Sequence, residues 1–146
     1  MEIKKFEVFD IDEVMQLWLE CNLEVHYFID KRYWLDNYEM VKKMILNSEL
    51  YVYKSENRII GFAGLLENYI AGIFVDKNYR SKGIGKQLIT YLKKRHKQLS
   101  LAVYQKNQLA IDFYLKEDFK IIKEQIEKNT KEIELIMEYN NSERLL

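Results

Sequence analysis

The sequence has no proline, one cysteine, two histidines and five glycines in 146 residues, and its formal net charge is zero. Each scarcity excludes something. Cys21 has no partner for an internal disulfide, and His26 and His96 with Cys21 form no cluster with zinc-ligand spacing, so no disulfide framework and no metal are expected. Without proline, a Ser/Gly-rich stretch or a repeat, nothing marks a domain boundary, and residues 1–146 read as one domain. No window approaches the roughly 20 apolar residues of a membrane span. Met1 to Asp10 alternates charged and apolar residues instead of forming the apolar run of a secretory signal. The expectation is a soluble, unprocessed, cytoplasmic protein in a reducing compartment, with no membrane partner.

What is present is an ordinary core: 48% of the chain is hydrophobic. A chain of this length buries roughly 70% of its unfolded surface. The segment Met1 to Phe9 suits a strand. Asp10 with Glu13 three residues later reads as a capping box for a helix burying Val14, Leu17, Trp18 and Cys21. A second helix over Tyr33 to Leu46 aligns Trp34, Tyr38, Val41 and Ile45 on one face, with an aromatic loop between the two. The period then changes to two. Leu50 to Lys54, Ile59 to Leu66 and Tyr69 to Val75 form an antiparallel meander, turning at Ser55-Glu56-Asn57 and Glu67-Asn68. A basic helix over Gly83 to His96 leads into a strand, Leu99 to Tyr104. A helix over Gln108 to Lys116 and a strand pair, Phe119 to Glu127 and Glu132 to Tyr139, complete an α+β pattern.

The balanced charge is unevenly distributed. From Lys77 to Ile111 there are nine Lys or Arg and no Asp or Glu, which leaves 14 basic against 23 acidic residues elsewhere. Such segregation fits a polyanion ligand, although a basic run is also simply a solvated helix face. Balanced total charge, and no interleaving of basic residues with stacking aromatics, argue against nucleic acid as the partner.

The most specific segment is Ile73-Phe74-Val75-Asp76-Lys77-Asn78-Tyr79-Arg80-Ser81-Lys82-Gly83-Ile84-Gly85-Lys86, a strand passing through a tight loop into the basic helix. Gly83 and Gly85 permit close backbone approach, the first-turn amides are unpaired donors, and the helix dipole adds positive potential. These features favour a phosphate or pyrophosphate. The segment is not a P-loop, because the glycine spacing is short and Gln87, not Ser or Thr, follows Lys86. It is not a dinucleotide fingerprint either, since Leu88 stands where the third glycine belongs and the strand ends a meander.

Arg80, Gly83 and Gly85 resemble the acetyl-CoA loop of the GCN5-related N-acetyltransferase (GNAT) superfamily. Val103-Tyr104-Gln105-Lys106-Asn107, then Ala110, Phe113-Tyr114 and Phe119, resemble the second half of that signature, with Asp118 in place of the usual glycine and Lys77 where proline is frequent. The resemblance implies a GNAT fold, a central mixed, mostly antiparallel sheet of six to seven strands with about four helices, and acetyl-CoA as acetyl donor. It implies that the backbone of Ile73, Phe74 and Val75 pairs with the pantetheine arm. Arg80, Ser81, Lys82, Gly83, Ile84, Gly85 and Lys86 hold the pyrophosphate, Asn107 bonds the pantetheine, Phe113 packs beside it, and Lys116 reaches towards the nucleotide phosphates.

The implied reaction is direct attack of a primary amine on the thioester. Tyr114 is then the proton donor to the departing sulfur, and a backbone amide of Phe74 or Val75 faces the developing oxyanion. Glu24, His26, Glu67 and Tyr69 are the alternatives for the base, with His26 also suited to fixing loop geometry and Glu67 to a solvated turn. His26, Phe28, Tyr33 and Tyr69 are expected to border the acceptor. Nine acidic residues stand between Glu7 and Glu39 against Lys31 and Arg32, which favours a cationic acceptor such as a lysine, a peptide amino terminus or a polyamine. The leading expectation is an N-acetyltransferase acting on a basic protein or peptide as a monomer or homodimer. A non-catalytic acetyl-CoA sensor and a small-amine acetyltransferase are the alternatives.

Overall fold

The first strand, β1, is only Glu2–Lys5, because Val8–Asp10 coil into a 3-10 turn that ends the extended segment. In this computed structural model residues 2–141 are described, so Met1 and the final residues of the expected 1–146 domain lie outside the described residues. The expected capping box does not form. Asp10 is buried, accepts the Glu7 N–H at 3.0 Å and faces Lys54 Nζ at 3.1 Å. Glu13 reaches across to the sheet, where its Oε2 accepts the Ile59 N–H at 2.7 Å. Asp10 thus serves the turn before the helix and Lys54, and Glu13 serves the sheet, so neither is left for the expected cap.

Helix α1 spans Ile11–Val25 and buries Val14, Met15, Leu17, Trp18 and Cys21. The second expected helix is interrupted. It divides into α2, Lys31–Asp36, and α3, Tyr38–Leu46, with Asn37 between them. The Asn37 side chain donates to the Tyr33 carbonyl at 2.7 Å, offering the backbone a local alternative to a continuous helix. Strands β2 (Glu49–Ser55), β3 (Arg58–Leu66) and β4 (Tyr69–Val75) form the antiparallel meander. At its first turn Glu56 and Asn57 both take positive φ, 52° and 67°, as a tight hairpin of matching twist requires.

Helix α4 covers Ile84–Arg95, β5 Gln98–Tyr104, α5 Gln108–Lys116, β6 Lys120–Ile126 and β7 Ile133–Asn140. The seven strands lie in the order β1-β2-β3-β4-β5-β7-β6. Every neighbouring pair is antiparallel except β4 with β5, which are parallel and meet at one register position, Tyr69 opposite Ser100. Beyond that point β4 keeps its pairing with β3 through Val75 opposite Gly61, while its other edge parts from β5.

Period-two alternation sends the two faces of each strand into separate apolar layers. Leu50, Val52, Ile59 and Phe62 pack under α1, α2 and α3. Tyr51, Tyr53, Ile60, Leu65, Leu99, Leu101 and Val103 pack under α4 and α5, where Ile84, Leu88, Leu92, Ile111 and Tyr114 close the layer. Each fully buried aliphatic side chain contributes about 1.5–3 kcal/mol. No helix among the described residues is long and apolar enough to cross a membrane.

Candidate active site

Where β4 parts from β5, the chain leaves Val75 through a 3-10 turn at Lys77–Tyr79 and starts α4 at Ile84. Asp76 opens the turn by accepting the Asn78 N–H at 2.9 Å. Ser81 (φ 63°) and Gly83 (φ 85°) both adopt the left-handed conformation that turns the backbone inward. A Cβ on Gly83 would meet nothing within 4 Å, so the site over the helix start is open, and glycine is needed for its φ rather than for space. The first helical bond runs from Gln87 N–H to the Gly83 carbonyl at 3.0 Å. The amides of Ile84, Gly85 and Lys86 consequently have no helical acceptor and face outward at the positive end of α4. Lys82 and Lys86 are exposed beside them, with Lys82 Nζ 5.6 Å from the centre of the Tyr79 ring.

Helix α5 closes on this corner. The Phe113 ring lies 3.5 Å from where a Gly85 Cβ would stand, so the two helix segments touch through a glycine. Tyr114 is buried in the same apolar layer as Ile73 and Val75, against Phe113 and Phe119. Burial pushes its phenol far above the ordinary tyrosine range, so it stays protonated at neutral pH, with a hydroxyl hydrogen to donate. Asp118, in the position where the resemblance expects glycine, adopts φ 74°. Lys116 is exposed on α5.

Two residues expected to face a ligand are held elsewhere. The Arg80 guanidinium turns back towards α1: Nε donates to the Val75 carbonyl at 2.9 Å, Nη1 pairs with Glu24, and Nη2 lies 3.4 Å from Cys21 Sγ. Its side chain is a strut between loop and helix, and its backbone is what it presents to the loop. Cys21 belongs to this strut as well as to the core. Its thiol is 3.5 Å from the Val75 carbonyl, and burial pushes its pKa up, so it remains a thiol. Asn107 caps α5 by accepting the Ala110 N–H at 3.3 Å, and its Nδ2 faces His26 Nε2 at 3.5 Å.

His26 sits at the far side of β4 and β5, stacked on Trp34 and edge-on to Phe28 and Tyr104. The Asn22 amide donates to the Trp18 carbonyl at 2.9 Å, which leaves its oxygen to accept from His26 Nδ1 at 2.8 Å. This assigns the proton to Nδ1 and the lone pair to Nε2, towards Asn107. Burial lowers the imidazole pKa to about 4, so His26 is neutral at pH 7 and a weak base.

The structure brings His26, Phe28 and Tyr33 into one ring set with Trp34 and Tyr104. Among the described residues, Trp34 Nε1 is a buried side-chain donor without a hydrogen-bond partner. Glu67 stands at the exposed β3–β4 turn with φ 57°, away from this set. Most of the acidic run is already engaged within the chain: Asp10 by Lys54, Asp12 by Lys42, Glu13 by the sheet, Glu20 by Gln16, Glu24 by Arg80 and Asp30 by Arg32. The carboxylates beside the rings come instead from the other end of the chain. Glu134 on β7 is directly opposite Tyr104 and receives Gln125 Nε2 at 2.6 Å. Glu127, in the β6–β7 loop, receives the N–H groups of Asn129 and Thr130. Burial pushes up the phenols of Tyr33, Tyr69 and Tyr104, and the Glu134 charge pushes all three further. Sequence reasoning missed Tyr104 and Glu134 as members of this surface. The alternation of β7 put Glu134 on a polar face, but only strand register shows what that face meets.

Comparison with known proteins returns a consistent set. Residues 11–119 match the model of the acetyltransferase (GNAT) family. The peptidyl-lysine N-acetyltransferase YiaC of Escherichia coli K12 is 35% identical over 122 residues, 82% of this chain and 84% of that protein. The peptidyl-lysine N-acetyltransferase YjaB of the same organism is 24% identical over 111 residues, 75% of this chain and 76% of that protein. The solution structure of apo YjaB from Escherichia coli superposes with a TM-score of 0.83 at 21% identity, over 94% of this chain and 96% of that one. A crystal structure of an aminoglycoside 6'-N-acetyltransferase complexed with coenzyme A superposes with a TM-score of 0.76 at 15% identity, over 97% of each chain.

Proposed function

The chain belongs to the acetyltransferase (GNAT) family, and from that membership we propose that it moves an acetyl group from acetyl-CoA directly to a primary amine of a protein or peptide, foremost a lysine side chain. The single observation that carries this reading is the parted β4–β5 edge opening onto the unpaired first-turn amides of α4, with a protonated Tyr114 in the adjoining layer. The amides of Ile84, Gly85 and Lys86, with Lys82 and Lys86, suit the pyrophosphate, and Lys116 suits the outer phosphates. The backbone of Ile73, Phe74 and Val75 suits the pantetheine amides, Phe113 its flank, and the remaining Asn107 amide hydrogen its carbonyl. Arg80 and Ser81 act by shaping the loop.

In this reaction the amine lone pair forms the N–C bond while the C–S pair leaves with the CoA sulfur. A low-dielectric site makes a bare thiolate costly, and the Tyr114 hydroxyl offers a hydrogen bond or proton to it. The acceptor must arrive as a neutral amine although a lysine has a pKa near 10.4. His26 is too weakly basic to hold that proton, and Glu24 is engaged by Arg80. Glu134, beside Tyr69, Tyr104 and Tyr33, is the carboxylate we assign to receive the ammonium and lead its proton towards solvent. The same carboxylate favours a cationic acceptor. Similarity to two peptidyl-lysine N-acetyltransferases supports a protein acceptor over a small amine.

The test is incubation of the protein with acetyl-CoA and a panel of lysine peptides, amino-terminal peptides and polyamines, read by mass spectrometry. Acetylated lysine in the peptides is the expected product. Acetylation of polyamines alone overturns the protein acceptor, and tight acetyl-CoA binding with no transfer to any amine overturns the enzyme reading in favour of a sensor.

A further inference from the structure

Beside β4, on the α1–α3 side of the sheet, lies a cavity of about 140 Å³ that the reaction above does not use. Its walls are apolar: Trp18 from α1, Val41 and Met44 from α3, Leu50 and Phe62 from the sheet. No lining residue is charged, and its one hydroxyl, that of Ser48, already donates to the Ile45 carbonyl at 3.0 Å. The space opens to solvent past the exposed Met44 and Leu66, and its volume suits a small apolar group of roughly benzene size. An ammonium or a carboxylate would lose its hydration there with nothing to replace it.

The cavity meets β4 at Ala71, Gly72 and Phe74, within the stretch whose outer edge is parted from β5. Gly72 is what shapes this corner. A Cβ there would fall 2.2 Å from the Phe74 ring, so the missing side chain lets that ring lie over the strand, tilted against Phe62 at 5.0 Å between centres. A donor thioester held at the Phe74 or Val75 amide, as the proposed reaction has it, would bring its acyl carbon to the strand that walls this apolar space, which is larger than a methyl group requires.

Resting on the donor reading given above, we propose that this cavity is an acyl-chain site, taking the aliphatic tail of a three- or four-carbon acyl-CoA and rejecting acyl groups that end in a carboxylate. Transfer of such a group balances as acetyl transfer does: the amine nitrogen bonds the acyl carbon, the C–S pair leaves on sulfur, and the proton shed by the amine offsets the one the sulfur takes up. The donor range of the enzyme is thereby set by Gly64, Gly72 and Phe74 and by the α3 wall, not by the phosphate loop.

The experiment is calorimetric titration of the full chain with acetyl-, propionyl-, butyryl- and succinyl-CoA. The Kd is expected to tighten about fourfold per added methylene as far as butyryl. Succinyl-CoA binds more weakly than acetyl-CoA. Trp18 fluorescence, which reports the cavity wall, shifts with butyryl-CoA and not with acetyl-CoA. Gly64→Ala introduces a methyl whose nearest neighbour is Leu50 Cδ1 at 3.4 Å, an ordinary contact, and it lowers the butyryl-to-acetyl affinity ratio about tenfold. Met44→Ala on the opposite wall raises that ratio. A Kd that is flat or weakens from acetyl to butyryl, or that is tightest for succinyl-CoA, overturns the acyl-chain site while leaving the acetyl donor reading standing. Absence of acetyl-CoA binding overturns both.

Discussion

The two faces of the sheet are built from different materials. The α4/α5 face mixes aliphatic and aromatic residues in its core, and apart from the Tyr114 hydroxyl its working parts are main chain: unpaired amides, left-handed residues at Ser81 and Gly83, and a parted strand edge. The α1–α3 face is aromatic and its working parts are side chains: His26 held between Asn22 and Asn107, a ring set around it, and Glu134 opposite Tyr104. Backbone recognition depends on conformation, so it tolerates few residue types and leaves a readable motif. Side-chain recognition depends on which strands and helices meet, so its residues are scattered along the chain.

If the division holds, a change on one face should leave the kinetic constants of the other alone. The largest effect is expected from Tyr114→Phe, which removes a buried hydroxyl without changing shape. Stopped-assay kcat should fall about a hundredfold or more, with the acetyl-CoA Kd within twofold of wild type. Unchanged turnover would remove Tyr114 as the acid. Gly83→Asp imposes a strained φ and sets a carboxylate over the α4 amides. Calorimetry should show acetyl-CoA affinity down about a hundredfold, with an unaltered far-ultraviolet spectrum.

The opposite face is addressed by pH. Burial lowers the His26 pKa from 6.5 to about 4, so between these values the unfolded chain binds more protons than the folded one. Its contribution is complete above pH 6.5 and is lost as pH falls towards 4, by up to about 3 kcal/mol. Urea midpoints of wild type should show that slope and those of His26→Gln should not. The smallest expected change is Glu24→Gln, which loosens the half-exposed Arg80 strut between the faces. The acetyl-CoA KM should rise about threefold with kcat unchanged. A larger kcat effect would place Glu24 in the chemistry and merge the two faces functionally.

The fold was largely legible in the residues because its signals are local. Alternation announced the meander, and Ile84, Leu88 and Leu92 announced α4. Asn107 and the run to Lys116 gave α5 its observed bounds, Gln108–Lys116. Where the structure departs from the local reading, two cases set a local signal against a distant partner and the third is itself local. Asp10 and Glu13 have capping-box spacing, yet Lys54 and the Ile59 amide claim them. Arg80 has the position of a phosphate ligand, yet Glu24, Val75 and Cys21 hold its guanidinium. The expected helix over Tyr33 to Leu46 has the correct apolar face, yet Asn37 breaks it by bonding its own backbone.

Glycine spacing, the dipole of the helix that follows and the placement of Tyr114 after Asn107 were settled along the chain, because conformational preference and helical period act over a few residues. The neutrality of His26, the turning of Arg80 away from the loop, the meeting of Glu134 with Tyr104 and the cavity over Gly72 arose only on folding. Burial, strand register and packing volume are properties of neighbours brought together from far apart, and no stretch of sequence contains both members of such a pair.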